Sequence, residues 1–148
     1  MKTCLVGCGG IAAVHGSVLT SGIDTEFVAA ADIKPEKAQT YAENFHTKPY
    51  PSLESMLEAE KPDVLHICTP HYLHVPMAIY SLERNINVFM EKPPAISFDQ
   101  LEELKKAAAK SEAQLGFCYQ NRYNASIRAA KDLIDSGHAY VAKNGDVY

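Results

Sequence analysis

The chain has 148 residues, 47% of them hydrophobic and 22% charged, with a formal net charge of −4. That length suits one domain with a proper core, and the scattered lysines and arginines argue against nucleic acid or an anionic membrane as the main partner. No apolar run approaches the roughly 18 residues of a membrane-spanning helix, and a strand starting near residue 2 leaves no room for a secretory leader. A cytoplasmic location is therefore expected.

Short β-like runs alternate with helical stretches along the chain. Strands are expected at Lys2–Val6, Glu26–Ala31, Val64–Cys68, Asn87–Met90 and Gln114–Cys118. Between them, helices are expected near Ile11–Thr20, Pro35–Phe45, Ser52–Glu58, Val75–Arg84 and Phe98–Lys110, with another from about Ala125 to Asp135. Ser97 precedes Phe98, Leu101 and Leu104 at helical spacing, and with Gln100 it has capping-box form. Ser52 opens its helix similarly, Pro35 suits a first helical turn, and Asn85 suits the left-handed conformation after a helix. Pro49 and Pro51 make Lys48–Pro51 an irregular or edge connection rather than a central strand. The alternation implies right-handed βαβ crossovers, so the fold class is α/β with a parallel, doubly wound sheet.

Residues 1–123 form the expected sheet domain, and 124–148 a linking helix and the start of a second domain. After Gly137 the segment His138–Tyr148 alternates like a strand or hairpin whose partners are missing, so the chain reads as cut at a domain boundary. Cys4, Cys8, Cys68 and Cys118 form no C-x-x-C pair and lie in or just beyond apolar runs. They read as small buried hydrophobes in a reducing compartment.

Four segments carry chemistry. Gly7-Cys8-Gly9-Gly10-Ile11-Ala12 has the form G-x-G-x-x-A between a strand and a helix. Gly7 permits the tight turn, Gly9 lets the backbone approach a pyrophosphate, and Ala12 keeps the helix close to the sheet. A plain glycine turn is the competing reading. Asp32 stands 20 residues after Ala12, where an acid accepts ribose hydroxyls; it also suits an N-cap for the helix at Pro35. Lys34 raises 2′-phosphate recognition, but Asp32 would repel that phosphate, so NAD is preferred with NADP left open.

Cys68-Thr69-Pro70-His71-Tyr72-Leu73-His74 ends another strand, with Thr69 offering a hydroxyl to ribose or nicotinamide. His71 and His74 lack a third ligand at suitable spacing, so no metal is expected; packing at a helix start is the competing role for His74. Glu91-Lys92-Pro93 follows Val88–Met90 and delivers an amine to the same sheet edge. Lys92 there suits proton transfer, with Glu91 orienting it; a solvated turn lysine is the alternative.

The order of G-x-G-x-x-A, strand-end Asp, T-P-x-x-x-H and E-K-P resembles the Gfo/Idh/MocA family of oxidoreductases, from Met1 to about Gly137. The resemblance implies a Rossmann-like NAD(P)-binding domain in which Gly7, Gly9 and Ala12, with Cys8, Gly10 and Ile11 in the same loop, hold the pyrophosphate. By the same match Asp32, with Ile33 and Lys34 beside it, holds the adenosine ribose. Thr69, Pro70 and His74, with Cys68 and His71 in their segment, line the nicotinamide side. Glu91, Lys92 and Pro93 fall at the reaction centre, with Lys92 catalytic. Gln120-Asn121-Arg122 matches the segment leading into the second domain, where the Arg meets cofactor or substrate. His71 replaces a frequent Asn there and Ala125 a common Pro.

The family's C-terminal α/β domain has no counterpart here beyond a resemblance of Gly145–Tyr148 to its first strand. The implied activity is hydride transfer between NAD and a sugar, cyclitol or polyol hydroxyl carbon, with this chain alone binding cofactor but inactive. A small-molecule substrate is the expected partner, and a homo-oligomer is left open. Two rivals are a non-catalytic dinucleotide-binding regulatory module and a methyltransferase, in which E-K-P and T-P-x-x-x-H have no use.

Overall fold

The computed structural model describes residues 1–22 and 24–138. The chain forms two compact units, Met1–Cys118 and Tyr119–Tyr148. In the first, strands β1 (Lys2–Val6), β2 (Glu26–Ala31), β3 (Lys48–Tyr50), β4 (Val64–Ile67), β5 (Asn87–Met90) and β6 (Leu115–Phe117) alternate with helices. These are α1 (Gly10–Ser21), α2 (Pro35–Phe45), α3 (Leu53–Glu60), α4 (His74–Leu82) and α5 (Phe98–Lys110). Strand order is β3-β2-β1-β4-β5-β6, and every pairing is parallel. The second unit holds a 3₁₀ turn, Gln120–Tyr123, and α6 (Ala125–Asp135). The strand expected after Gly137 lies outside the described residues, His138 apart.

Both faces of the sheet are covered, which is why its strands are apolar rather than alternating. Cys4 and Val6 face one core with Leu65, Ile67, Val88 and Met90, beneath residues of α3, α4 and α5. Leu5 and Ala30 face the other, with Ala12 of α1 and Tyr41 of α2. Gly16 of α1 permits the close approach of α2, since a Cβ there would sit 2.5 Å from the Tyr41 hydroxyl and 2.7 Å from the Phe45 ring. The same Tyr41 hydroxyl donates to the Ala12 carbonyl at 2.7 Å, tying α2 to α1.

Local signals place most boundaries. Ser52 and Ser97 accept from the amides of Ser55 and Gln100, each at 3.2 Å, and Pro35 occupies the first turn of α2. Asn85 adopts φ +55°, as do His46 (+54°) and Lys61 (+46°) at the ends of α2 and α3. The structure corrects several details. Gln100 reaches back to the Ile96 amide at 3.2 Å rather than to Ser97, so the box closes one residue early. Phe98 is 87% exposed and belongs to no core, whereas Leu104 is buried. β4 stops at Ile67, β6 spans only Leu115–Phe117, α3 runs on to Glu60, and α4 begins at His74 and ends at Leu82. Lys48–Tyr50 is a short parallel edge strand containing Pro49, where a missing N–H on the outer edge costs no ladder bond.

Candidate dinucleotide site at the sheet switch point

Strands β1, β2 and β3 run to one side of the β1–β4 boundary, and β4, β5 and β6 to the other. Connections leave β1 and β4 in opposite directions, which opens a crevice at their carboxyl ends. Two loops meet there. Gly7 has φ +92° and its amide donates to the Ala31 carbonyl at 2.8 Å. A Cβ on Gly7 would lie 2.8 Å from the Cys68 carbonyl carbon and oxygen and from the Thr69 nitrogen. Only glycine lets the loop after β1 rest against the end of β4. By contrast, a Cβ on Gly9 or Gly10 would meet nothing within 4 Å. Gly9 caps α1 without a side-chain hydrogen bond, which leaves the helix N-terminus open to an anion.

Asp32 ties this loop to the end of β2. Its Oδ2 accepts the Cys8 amide and its Oδ1 the Lys34 amide, both at 2.9 Å. The N-cap of α2 is Lys34, so Asp32 braces the glycine loop instead of capping that helix. A cavity of about 230 Å³ lies here, walled by Gly7, Gly9, Asp32, Ile33, Lys34, Cys68, Thr69 and Pro70. Tyr72, Leu73 and Met77 line it as well, and Ile33 is 79% exposed. The Thr69 hydroxyl is buried and has no hydrogen-bond partner among the described residues. A buried polar atom left single is unusual, and here it borders the cavity. A larger depression of about 400 Å³ between α4 and α5, rimmed by Glu83, Glu103, Lys106 and Lys110, has no glycine loop and includes Asn85 and Ser111, which precede the amino ends of β5 and β6, not their carboxyl ends.

The thiols are poor nucleophiles. Burial, then the charge of Asp32, pushes Cys8 up to about 12, and its thiol donates to the Ala31 carbonyl at 3.6 Å. Burial raises Cys68 further. Ile11 is exposed near the start of α1, whereas Ala12 is fully buried against the sheet.

At the end of β5, Glu91 is buried, with its carboxylate turned into the fold. Its Oε1 lies 3.1 Å from His15 Nε2, its Oε2 accepts the Lys92 amide at 3.2 Å, and the Cys118 thiol bonds to it too. Burial alone would raise this carboxyl, but those hydrogen bonds outweigh it and hold the group below its ordinary value. His66 stands behind, its Nδ1 3.0 Å from His15 Nδ1. Burial, then the charge of His15, pushes His66 down to about 4, so its ring is neutral. Lys92 is exposed. The Lys92–Pro93 peptide is cis.

His74 is fully buried, with Nδ1 2.8 Å from the Pro93 carbonyl and Nε2 3.0 Å from the Thr69 carbonyl. Both ring nitrogens thus face main-chain carbonyls, and a neutral ring donates to one of the two. His71 is exposed on the 3₁₀ turn His71–Leu73, its ring 5.5 Å from that of His74. Among the described residues, ligating atoms of His15, Glu91 and Cys118 lie within 4.8 Å of one another, and hydrogen bonds join Glu91 to each of the other two. Asn121 and Arg122 lie in the second unit, on its 3₁₀ turn, where the Arg122 amide donates to Tyr119 and the Asn121 carbonyl accepts from Asn124. The sequence reading missed His15, His66, Lys37, Tyr72 and Met77. His15 carried a signal, since it recurs with Ala12, Gly16 and Leu19 on the buried stripe of α1.

A glycine turn at a switch point, braced by an acid from the next strand, defines the dinucleotide-binding class of α/β oxidoreductase domains. Residues 1–119 match the profile of the oxidoreductase family with NAD-binding Rossmann fold, and the chain belongs to that family, Gfo/Idh/MocA. It is 29% identical to D-glucoside 3-dehydrogenase of Escherichia coli, over 93% of this chain and 40% of the relative. To the inositol 2-dehydrogenase/D-chiro-inositol 3-dehydrogenase of Lacticaseibacillus casei it is 28% identical, over 93% and 41%. The crystal structure of the WlbA dehydrogenase from Chromobacterium violaceum, in complex with NADH and UDP-GlcNAcA, superposes with a TM-score of 0.89 at 31% identity, covering 95% of this chain and 42% of that one. The chain thus spans about two fifths of the length of the relatives it matches. Among the described residues no helix is long and apolar enough to cross a membrane.

Proposed function

We propose that this chain holds NAD across the switch-point crevice and supplies the proton-transfer amine of a dehydrogenase acting on a sugar, cyclitol or polyol hydroxyl. The observation that carries the reading is the Gly7–Asp32–Thr69 constellation. Gly7 seats the loop against the end of β4, and Gly9 and Gly10 leave open space for a pyrophosphate at the start of α1. Asp32 is held as an acceptor for the adenosine ribose, and the Thr69 hydroxyl, without a partner among the described residues, would gain one.

Bound NAD would supply the hydride acceptor for the carbon that bears the hydroxyl. Lys92 Nζ, as the neutral amine, would take the hydroxyl proton and become the ammonium, and the buried Glu91 fixes the main chain from which that amine projects. Asp32 favours NAD over NADP, because a 2′-phosphate would meet its carboxylate, while Lys34 and Lys37 on the same cavity offset part of that repulsion. The sugar and polyol substrates of the relatives support the substrate class. The four free cysteines support a reducing, cytoplasmic setting. Calorimetric titration with NADH and with S-adenosylmethionine tests the reading. One site for NADH and none for S-adenosylmethionine is expected; the reverse result overturns it.

A further inference from the structure

Lys92 is exposed, yet the chain is pinned on both sides of it. Before it, Glu91 is buried, with Oε1 3.1 Å from His15 Nε2 of α1 and Oε2 accepting the Lys92 amide at 3.2 Å. After it, the Pro93 carbonyl lies 2.8 Å from Nδ1 of the fully buried His74, the first residue of α4. These helices cover opposite faces of the sheet, α1 with α2 on one and α4 with α3 and α5 on the other. Each imidazole is itself held. His15 Nδ1 meets His66 Nδ1 at 3.0 Å, and the rings of His15 and His66 both pack near Phe89 of β5. His74 Nε2 meets the Thr69 carbonyl at 3.0 Å, which joins the loop after β4 to the loop after β5.

We propose that His15 and His74 are positioning residues, a two-sided clamp that fixes residues 91 and 93 and so presents Lys92 at the nicotinamide end of the cofactor site. The proposal rests on the cofactor reading above. Neither histidine touches the cavity; each acts through main chain or through Glu91. A buried, hydrogen-bonded polar network of this kind holds one geometry because every alternative leaves a polar atom single. The clamp therefore affects the nicotinamide half of the ligand, while Gly7, Gly9 and Asp32 hold the adenosine diphosphate half independently.

The test uses the full chain and two ligands, NADH and ADP-ribose, which has the adenosine and both phosphates but no nicotinamide. His15→Phe keeps the ring volume and removes both nitrogens, and His15→Gln keeps an N–H able to reach Glu91. For His74→Gln the same measurements apply. His15→Phe is expected to weaken NADH by about tenfold, the equivalent of one lost hydrogen bond to a charged group, and to leave ADP-ribose within about twofold. His15→Gln should recover most of the loss. In the unliganded chain, the Lys92 amide resonance should shift in His15→Phe and return toward the wild-type position in His15→Gln. Equal weakening of both ligands, or an unchanged NADH affinity in every variant, overturns the clamp. If the wild-type chain binds neither ligand, the cofactor reading itself falls and the clamp with it.

Discussion

Replacing Gly7 and Gly9 separately by alanine should divide folding from binding. At Gly7 the backbone has φ +92°, a region that costs an L-residue about 1–2 kcal/mol. The added Cβ would also lie 2.8 Å from three main-chain atoms of Cys68 and Thr69, none of which can swing aside like a side-chain tip. Strain and displacement of the β4 loop together give a destabilisation of about 3 kcal/mol. With a urea slope of about 1.5 kcal/mol/M, the unfolding midpoint falls by about 2 M. At Gly9 the backbone is extended, with φ −85° and ψ −169°, and a Cβ meets nothing within 4 Å. Gly9→Ala should therefore keep the wild-type midpoint. If a pyrophosphate crosses that open space, the same methyl should weaken NADH by about tenfold or more, since backbone donors no longer reach it. Urea denaturation followed by circular dichroism, with calorimetric NADH titration, reads both quantities. A Gly7→Ala variant as stable as wild type, or a Gly9→Ala variant with unchanged NADH affinity, would refute the reasoning.

Three further outcomes follow from other contacts. Asp32→Ala should narrow the preference for NADH over NADPH, measured as the ratio of dissociation constants, and equal binding of both by the unmutated chain would contradict the role given to Asp32. Thr69→Val removes a buried hydroxyl that has no partner among the described residues, so the unliganded melting temperature should hold or rise while NADH binding weakens. Glu60 is buried among Lys2 at 3.0 Å, Lys48 at 2.9 Å and the Tyr50 hydroxyl at 2.6 Å, and these partners pull it from an ordinary 4.5 down to about 2. Its stabilisation is present above about pH 4.5 and disappears as pH falls through about 2, so Glu60→Gln should cost about 2 kcal/mol at pH 7 and progressively less below pH 4.5. Urea midpoints across that range check the sign.

The sheet was legible because its signals are local. The apolar runs of β1, β2, β4 and β5 and the capping serines Ser52 and Ser97 sit in the sequence as they act in the fold. The glycine loop and Asp32 were legible for the same reason, as a turn and an acid at a fixed offset. What the sequence hid depends on contacts far apart in the chain. Glu91 read as a group orienting Lys92, and its bond to His15, 76 positions earlier, which draws its carboxylate inward, could not be read from the sequence. His74 read as a cofactor contact or a packing residue, and its two carbonyl partners appear only when the loops after β4 and β5 come together. Phe98 has helical spacing yet faces outward at the first turn of α5, because periodicity fixes a stripe but not where the sheet ends beneath it. His46 and Lys61 carry left-handed caps without the glycine or asparagine that would announce them.

The central claim is that NAD lies across the switch-point crevice, from Gly9 and Asp32 to the loop of Lys92. Amide chemical shifts of the ¹⁵N-labelled chain during NADH titration test it most directly. The account predicts saturable shifts at Gly9, Gly10, Asp32, Ile33 and Thr69, extending to Lys92 with NADH but not with ADP-ribose. Shifts confined to the groove between α4 and α5, around Leu82, Lys106 and Ser111, or no shifts at saturating NADH, would contradict it.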